Sequence, residues 1–124
     1  MSVTFLSGII ETLWLIHPSK STIRLSVATT RPAALAHADA ILICVPTPLT
    51  ANREPDLGPL LDAGRALAGV LQEGQLVVLE STTYPGTTRE RLLPVLEESG
   101  LAAGRDFNLA FSPERVDPGR TDYT

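Results

Sequence analysis

Three apolar runs, each followed by a polar turn, organise most of this chain. The runs cover residues 40–45, 76–80 and 107–111. The first has no alternation of apolar and polar positions, which is typical of a strand covered on both faces of a parallel sheet. The runs end about one βαβ unit apart, and a shorter strand is predicted near 24–28. The pattern predicts three or four parallel strands whose polar ends share one edge.

The segment between the first two strands has helical periodicity. Over residues 57–72, leucines and small residues recur on one face of a helix, which predicts an amphipathic helix packed on the sheet. Asp56 is the predicted N-cap, and Gly74 is expected to end the unit. A right-handed crossover is expected for this connection and for the next.

A second helix is predicted near 87–99. Thr87 and Glu90 have the spacing of a capping box at its start, and Gly100 suits its carboxyl end. Pro94 lies inside the helix and is expected to bend it or weaken one turn. The leucines expected to face the sheet are Leu92, Leu93 and Leu96.

The polar turn between the second strand and the second helix carries the most chemistry. Its sequence is Glu80-Ser-Thr-Thr-Tyr-Pro-Gly-Thr-Thr, residues 80–88. Its hydroxyl side chains near the helix start are Ser81, Thr82, Thr83 and Thr87. Such a turn offers donors to a phosphate or to an activated water. The alternative is a capped connection whose hydroxyl groups serve only the turn.

Three turns occur in order, each after a predicted strand. They are Val45-Pro-Thr-Pro-Leu-Thr, the turn at 80–88, and Phe111-Ser-Pro-Glu-Arg-Val-Asp-Pro-Gly. Together they resemble the UDP-glucose/GDP-mannose dehydrogenase family, and within it the UDP-N-acetylglucosamine and UDP-N-acetylmannosamine 6-dehydrogenases. Glu54-Pro-Asp-Leu fits the same branch. The resemblance runs from about Leu25 to Gly119.

The resemblance implies a partial Rossmann-like α/β fold, a parallel sheet with flanking helices. It also implies NAD-dependent oxidation of the C6 hydroxymethyl group of a UDP-N-acetylhexosamine to a carboxylate, through covalent capture by a cysteine. The complete enzyme would bind a UDP-sugar and form a homo-oligomer. The implied cofactor contacts are Val45, Pro46, Thr47, Thr82, Thr83 and Glu114. Thr82 would also hold the catalytic water, and Glu114 would act as general base.

Several features depart from the family pattern. The nine glycines contain no Gly-x-Gly pair, so the first glycine-rich βαβ unit is expected to be lacking. The family's catalytic Lys, Asn, Cys and Asp have no counterpart up to Thr124, so a truncated piece, inactive alone, is expected. A non-catalytic remnant or interaction module is the alternative. Pro118 replaces a second Glu found in other branches, and whether Asp117 takes over its role stays open.

The chain is expected to comprise a poorly matched segment, 1–23, and the partial NAD-binding domain, 24–124. Residues 5–16 are apolar but too short to span a bilayer, and are interpreted as a core helix or as a replacement for the original amino-terminal part. No secretory signal is expected.

The remaining residues exclude several functions. Cys44, the only cysteine, is expected to behave as a small buried hydrophobe, and it favours a reducing, cytoplasmic location. His17 and His37 have no partner at metal-ligand spacing and are expected at the surface. The net charge of −4 provides no basic surface for nucleic acid, and no membrane association is expected.

Overall fold

A computed structural model describes residues 2–7, 24–29 and 32–112. The strands are β1 (Ser2–Ser7), β2 (Arg24–Thr29), β3 (Ala40–Cys44), β4 (Leu76–Leu79) and β5 (Asn108–Phe111). The helices are α1 (Pro32–Leu35), α2 (Gly58–Ala68) and α3 (Leu93–Glu97), and a π-helical segment, Thr87–Leu92, leads directly into α3.

The five strands form one parallel sheet in the order β2-β1-β3-β4-β5. The prediction that the runs at 40–45, 76–80 and 107–111 are adjacent parallel strands is confirmed. Their register aligns Ile41 with Val77, and Val77 with Leu109. The strand predicted near 24–28 also exists, but it lies at the far edge of the sheet, beyond β1. The α/β fold class is therefore correct, with one strand more than expected.

The additional strand is β1, which pairs with β2 on one side and with β3 on the other. The helical interpretation of residues 5–16 is wrong for Phe5–Ser7, which are in this strand, and the rest of that run lies outside the described residues. The order of the strands reverses beside β1, since the chain passes from β1 to β2 and then crosses to β3. This reversal is the switch point at which open α/β sheets bind ligands.

One face of the sheet packs under α2 and the second helix. Leu60 and Leu67 of α2 and Leu92 at the end of the π-helical segment are fully buried there. Burial of a leucine side chain stabilises a fold by about 1.5–3 kcal/mol relative to exposure. Gly64 allows the two helices to approach, because a Cβ at this position would lie 2.9 Å from Leu92 Cδ1. These contacts anchor both helices and so fix the turns that precede them.

The ends of α2 differ from the prediction. Asp56 is not the N-cap; that position belongs to Leu57, which makes no side-chain cap bond. Asp56 Oδ1 instead accepts the N–H of Gly58 at 2.8 Å. The helix ends at Ala68 rather than near 72, and Gly74 serves the turn before β4 with a left-handed φ of 83°.

The start of the second helix also differs. The predicted capping box is wrong, because Gly86 holds the N-cap position with a φ of 92°. The Thr87 hydroxyl donates to the Tyr84 carbonyl at 2.8 Å and so closes the preceding turn instead. The π-helical segment gives way to α3 next to Pro94, whose missing N–H interrupts regular helical bonding, as expected. Gly100 follows the helix with a φ of 86°.

Candidate functional site

The candidate site lies at the carboxyl edge of the sheet, defined as the edge where the parallel strands end. The turn after β3 begins at Val45, and the turn after β4 begins at Glu80. Because β3 and β4 are neighbours with aligned ends, the two turns lie side by side next to the switch point. The topology therefore brings two of the three predicted motifs together. The third motif lies outside the described residues after Ser112.

Two hydrogen bonds between Ser81 and Val45, here called the Ser81 bridge, join the turns. The Val45 N–H donates to Ser81 Oγ at 2.9 Å. The Ser81 hydroxyl donates to the Val45 carbonyl at 2.7 Å. Ser81 is 7% exposed and Val45 is half-buried, so these bonds are partly shielded from water. The regular ladder ends just before them, with the Glu80 N–H donating to the Ile43 carbonyl at 3.0 Å.

A second connection between the turns comes from Thr47. Its hydroxyl donates to the Thr82 carbonyl at 2.8 Å. Unlike the Ser81 bridge, this bond is exposed to solvent, so water competes with it. Thr47 therefore holds the main chain of Thr82 while leaving the Thr82 side chain exposed.

The four hydroxyl groups predicted to serve a ligand have different roles. Ser81 and Thr87 already donate to main-chain carbonyls, so the prediction that they serve a phosphate or water is wrong for these two. Thr82 is exposed and open to solvent. Thr83 Oγ1 is buried, and no described residue forms a hydrogen bond with it. A buried polar group without a partner costs free energy, and Thr83 is the hydroxyl of this turn that lacks one among the described residues.

Cys44 ends β3 beside the same turns. It is half-buried, and its thiol donates to Glu80 Oε2 at 3.5 Å. Burial, and after it the charge of Glu80, raises the pKa of the Cys44 thiol to about 12. Because the thiolate is the nucleophilic form, this shift lowers the reactivity expected of the thiol at neutral pH. Cys44 differs from a purely apolar buried residue in being half-buried and bonded to Glu80.

The other predicted site residues fall in two groups. Val45 and Thr47 are half-buried at the carboxyl edge, and Pro46 between them is exposed. Glu114 and Asp117 lie outside the described residues. His37 is exposed as predicted, whereas His17 lies outside the described part.

A cavity of about 580 Å³ opens beside the turn at 80–88 and runs along the start of α2. Its lining is Glu54, Pro55, Asp56, Leu57, Gly58, Leu61, Tyr84 and Arg91. Tyr84 is its link to the turn at the carboxyl edge. None of Val45, Thr47, Thr82 and Thr83 lines this cavity.

Neither a metal site nor a membrane-spanning helix occurs among the described residues. They contain no group of three or more His, Cys, Asp or Glu side chains arranged to hold a metal ion. None of the helices between residues 32 and 97 has the length and apolar character needed to cross a membrane.

The role of Ser81 was missed from the sequence. Alternation along β4 carries a usable signal, because it places residue 81 on the same face as the buried Val77 and Leu79. A hydroxyl at such a position must find a partner inside the protein.

Comparison with known proteins agrees with this geometry. The model of the UDP-glucose/GDP-mannose dehydrogenase family, NAD binding domain, matches residues 12–123. Protein CapL of Staphylococcus aureus is 46% identical over 97 residues, which cover 77% of this chain and 23% of that protein. A UDP-N-acetyl-D-glucosamine 6-dehydrogenase of Pseudomonas aeruginosa is 42% identical over 90 residues, 72% of this chain and 21% of that protein.

Among solved structures, an NDP-N-acetyl-D-galactosaminuronic acid dehydrogenase from Methanosarcina mazei Go1 is 39% identical with a TM-score of 0.68. The match covers 78% of this chain and 21% of that one. The chain thus spans about a fifth of the length of the relatives that it matches. The strand β1 precedes the region that the family model matches.

Proposed function

The chain belongs to the UDP-glucose/GDP-mannose dehydrogenase family, and from this premise we propose that its carboxyl edge forms part of the NAD site of a nucleotide-sugar 6-dehydrogenase. The matched region is the NAD-binding domain of the family, so the cofactor is NAD. The proposed substrate is a UDP-N-acetylhexosamine, a choice supported by the name of the Pseudomonas aeruginosa relative. The proposed reaction oxidises the C6 hydroxymethyl group to a carboxylate.

The observation that carries this proposal is the orphaned hydroxyl of Thr83. A buried donor beside the switch point fits a polar ligand rich in hydrogen-bond acceptors, and NAD is such a ligand. Because Ser81 and Thr87 are already engaged, the ligand would take its hydrogen bond from Thr83. Bound NAD supplies the hydride acceptor for the oxidation.

The proposed roles of the other site residues follow from the hydrogen bonds that each residue already makes within the protein. Both main-chain polar groups of Val45 are bonded to Ser81, so Val45 would border the cofactor with its side chain. Pro46 has no N–H and would donate no main-chain hydrogen bond to the cofactor. The exposed Thr82 hydroxyl can hold the water that attacks the acylated enzyme. Glu114 would remove a proton from this water as a general base.

We further propose that the 124-residue chain alone does not oxidise a UDP-sugar. Its glycines contain no Gly-x-Gly turn to bind the pyrophosphate, and its single thiol is held protonated. With UDP-N-acetylglucosamine or UDP-N-acetylmannosamine and NAD⁺, no NADH absorbance should develop. In the complete enzyme the same turns would serve a homo-oligomer that binds the UDP-sugar.

The Thr83→Val variant tests the cofactor site. Valine has the shape of threonine without the hydroxyl, so the variant loses a hydrogen bond to NAD but relieves an orphaned buried group. In an NMR titration with millimolar NAD⁺, the dissociation constant should rise about fivefold to tenfold. The thermal midpoint should stay the same or rise, a combination that a purely structural hydroxyl would not give.

Asp62→Asn, an exposed change on the outer face of α2, serves as the control and should alter neither quantity. If Thr83→Val binds NAD⁺ as tightly as the wild type, the assignment of this hydroxyl is wrong. NADH formation that Cys44→Ala abolishes would show that the dismissed cysteine is the nucleophile.

A further inference from the structure

We propose that Ser81 is a positioning residue, which places Thr82 and Thr83 at the cofactor by replacing two main-chain bonds of the ladder between β3 and β4. The inference rests on the proposed function, since it concerns how the NAD site is held. It concerns a residue that donates no hydrogen bond to the ligand, because the only hydrogen of its hydroxyl is donated to Val45.

The Ser81 bridge takes the place of main-chain hydrogen bonds between neighbouring strands. Parallel neighbours exchange main-chain bonds along the ladder, and β4 does so up to the Glu80 N–H. Beyond this point the Val45 N–H and carbonyl would need partners from the next main-chain groups of β4. The Ser81 side chain supplies both, as acceptor at 2.9 Å and as donor at 2.7 Å. Val45 is therefore satisfied although β4 has already ended.

The consequence concerns the main chain after Ser81. Because a side chain has taken over its bonding to β3, the backbone of Thr82 is free to leave the sheet plane and turn towards the site. Thr47 then captures the Thr82 carbonyl at 2.8 Å. The turn leaves the ladder early but remains fixed to the turn after β3 at two points, one part-buried and one exposed.

Few side chains can perform this substitution. The group must donate and accept at once, within a site that is 7% exposed. Alanine offers neither function and would leave the two polar groups of Val45 unpaired. Threonine keeps the hydroxyl at the cost of one added methyl group, so it is the conservative replacement.

The test compares Ser81→Ala and Ser81→Thr with the wild-type chain. Ser81→Ala should weaken NAD⁺ binding about tenfold or more in an NMR titration, although it removes no ligand contact. Ser81→Thr should restore most of the affinity. Amide hydrogen exchange gives a readout without cofactor: the wild-type Val45 N–H should be protected like Ile43, and Ser81→Ala should remove this protection while Ile43 stays protected.

Gln75→Met is the matched control, because it also removes a buried polar side chain but at the opposite edge of the sheet. It should lower stability and leave NAD⁺ affinity unchanged. If Ser81→Ala binds NAD⁺ like the wild type, the positioning role is overturned and the proposed function stands. If the wild type gives no response to NAD⁺, the proposed function itself falls. Rapid exchange of the wild-type Val45 amide would overturn the bridge, and with it the inference, even if Ser81→Ala did not fold.

Discussion

The two edges of the sheet differ in whether their buried polar side chains have hydrogen-bond partners within the protein. At the amino edge, where the strands begin, the buried Gln75 side chain donates to the Leu35 and Ala38 carbonyls at 2.8 and 2.6 Å. Its oxygen accepts the Gln72 N–H at 2.9 Å. At the carboxyl edge, Thr83 has a buried hydroxyl without a partner among the described residues, and Thr82 is exposed.

This contrast separates polar residues that are bonded within the fold from those that remain available to the proposed ligand. Gln75 uses its side chain fully inside the protein, so nothing remains for a substrate. In the turn after β4 the two hydroxyl groups differ. Ser81 donates its hydrogen bond within the protein, whereas the Thr83 hydroxyl has no partner among the described residues. The presence of a hydroxyl or amide side chain in the sequence therefore does not tell whether that group is bonded inside the protein or remains available to a ligand.

The largest expected effect concerns the thiol at the carboxyl edge. With its pKa raised to about 12, Cys44 would have only about 10⁻⁴ of its thiol ionised at pH 8. Alkylation by iodoacetamide should therefore be about 10³-fold slower in the native chain than in the same chain unfolded in urea. Mass spectrometry over a time course measures both rates. Equal rates would mean that this part of the edge is open and reactive.

The same shift gives a direction for stability at high pH. A folded pKa above the unfolded one means that the stabilisation is complete below the unfolded value, near 9, and is lost as the pH rises towards 12. Cys44→Ala should weaken this decline.

The next effect in size concerns Gln75→Met. The change leaves the Ala38 carbonyl and the Gln72 N–H without their partner and removes one of the two donors to the Leu35 carbonyl, so unfolding in urea should show a loss of about 2–4 kcal/mol. Gln72→Met is the control, because the Gln72 side chain is exposed and makes one long bond to the Val70 carbonyl. That control should cost less than about 0.5 kcal/mol. Similar losses in both variants would remove the contrast between the edges.

The smallest effect concerns Asp106, also at the amino edge. Hydrogen bonds from Arg105 and then from the Ala102 N–H lower the pKa of its carboxyl group to about 2. A lowered folded pKa gives stability that is present above about pH 4 and is lost as the pH falls towards 2. The difference in urea midpoint between wild type and Asp106→Asn should therefore shrink over that range. A constant difference would contradict this role.

The strands that could be predicted from the sequence are those whose local apolar pattern matches their burial in the sheet. Strands β3 and β4 are continuous apolar runs, a pattern that is readable without a structure. One of their faces is buried and the other is mostly half-buried, so the expected covering of both faces is seen fully on one of them. Strand β1 was missed because Ser2–Ser7 mixes polar and apolar residues and merges with the apolar run that follows. Its place between β2 and β3 depends on long-range pairing, which periodicity does not encode.

The position of the candidate site could be predicted from the sequence, but the hydrogen bonds of its hydroxyl groups could not. The spacing of the turns located the carboxyl edge. Which hydroxyl remains free depends on where the carbonyls of neighbouring segments lie, as for Thr87 with Tyr84. The capping-box spacing failed for a local reason: Gly86 adopts a left-handed φ at the N-cap position.

The central place of β1 has a mechanical consequence. All five strands run the same way, so the amino end of β1 and the carboxyl end of β5 lie at opposite edges of the sheet. A pulling force applied between these points would act along the strands, in shear. Because β1 is bonded on both sides, the strand at that end is held by two ladders, whereas β5 is held only by its ladder to β4. The sheet should therefore yield first at β5 rather than at β1.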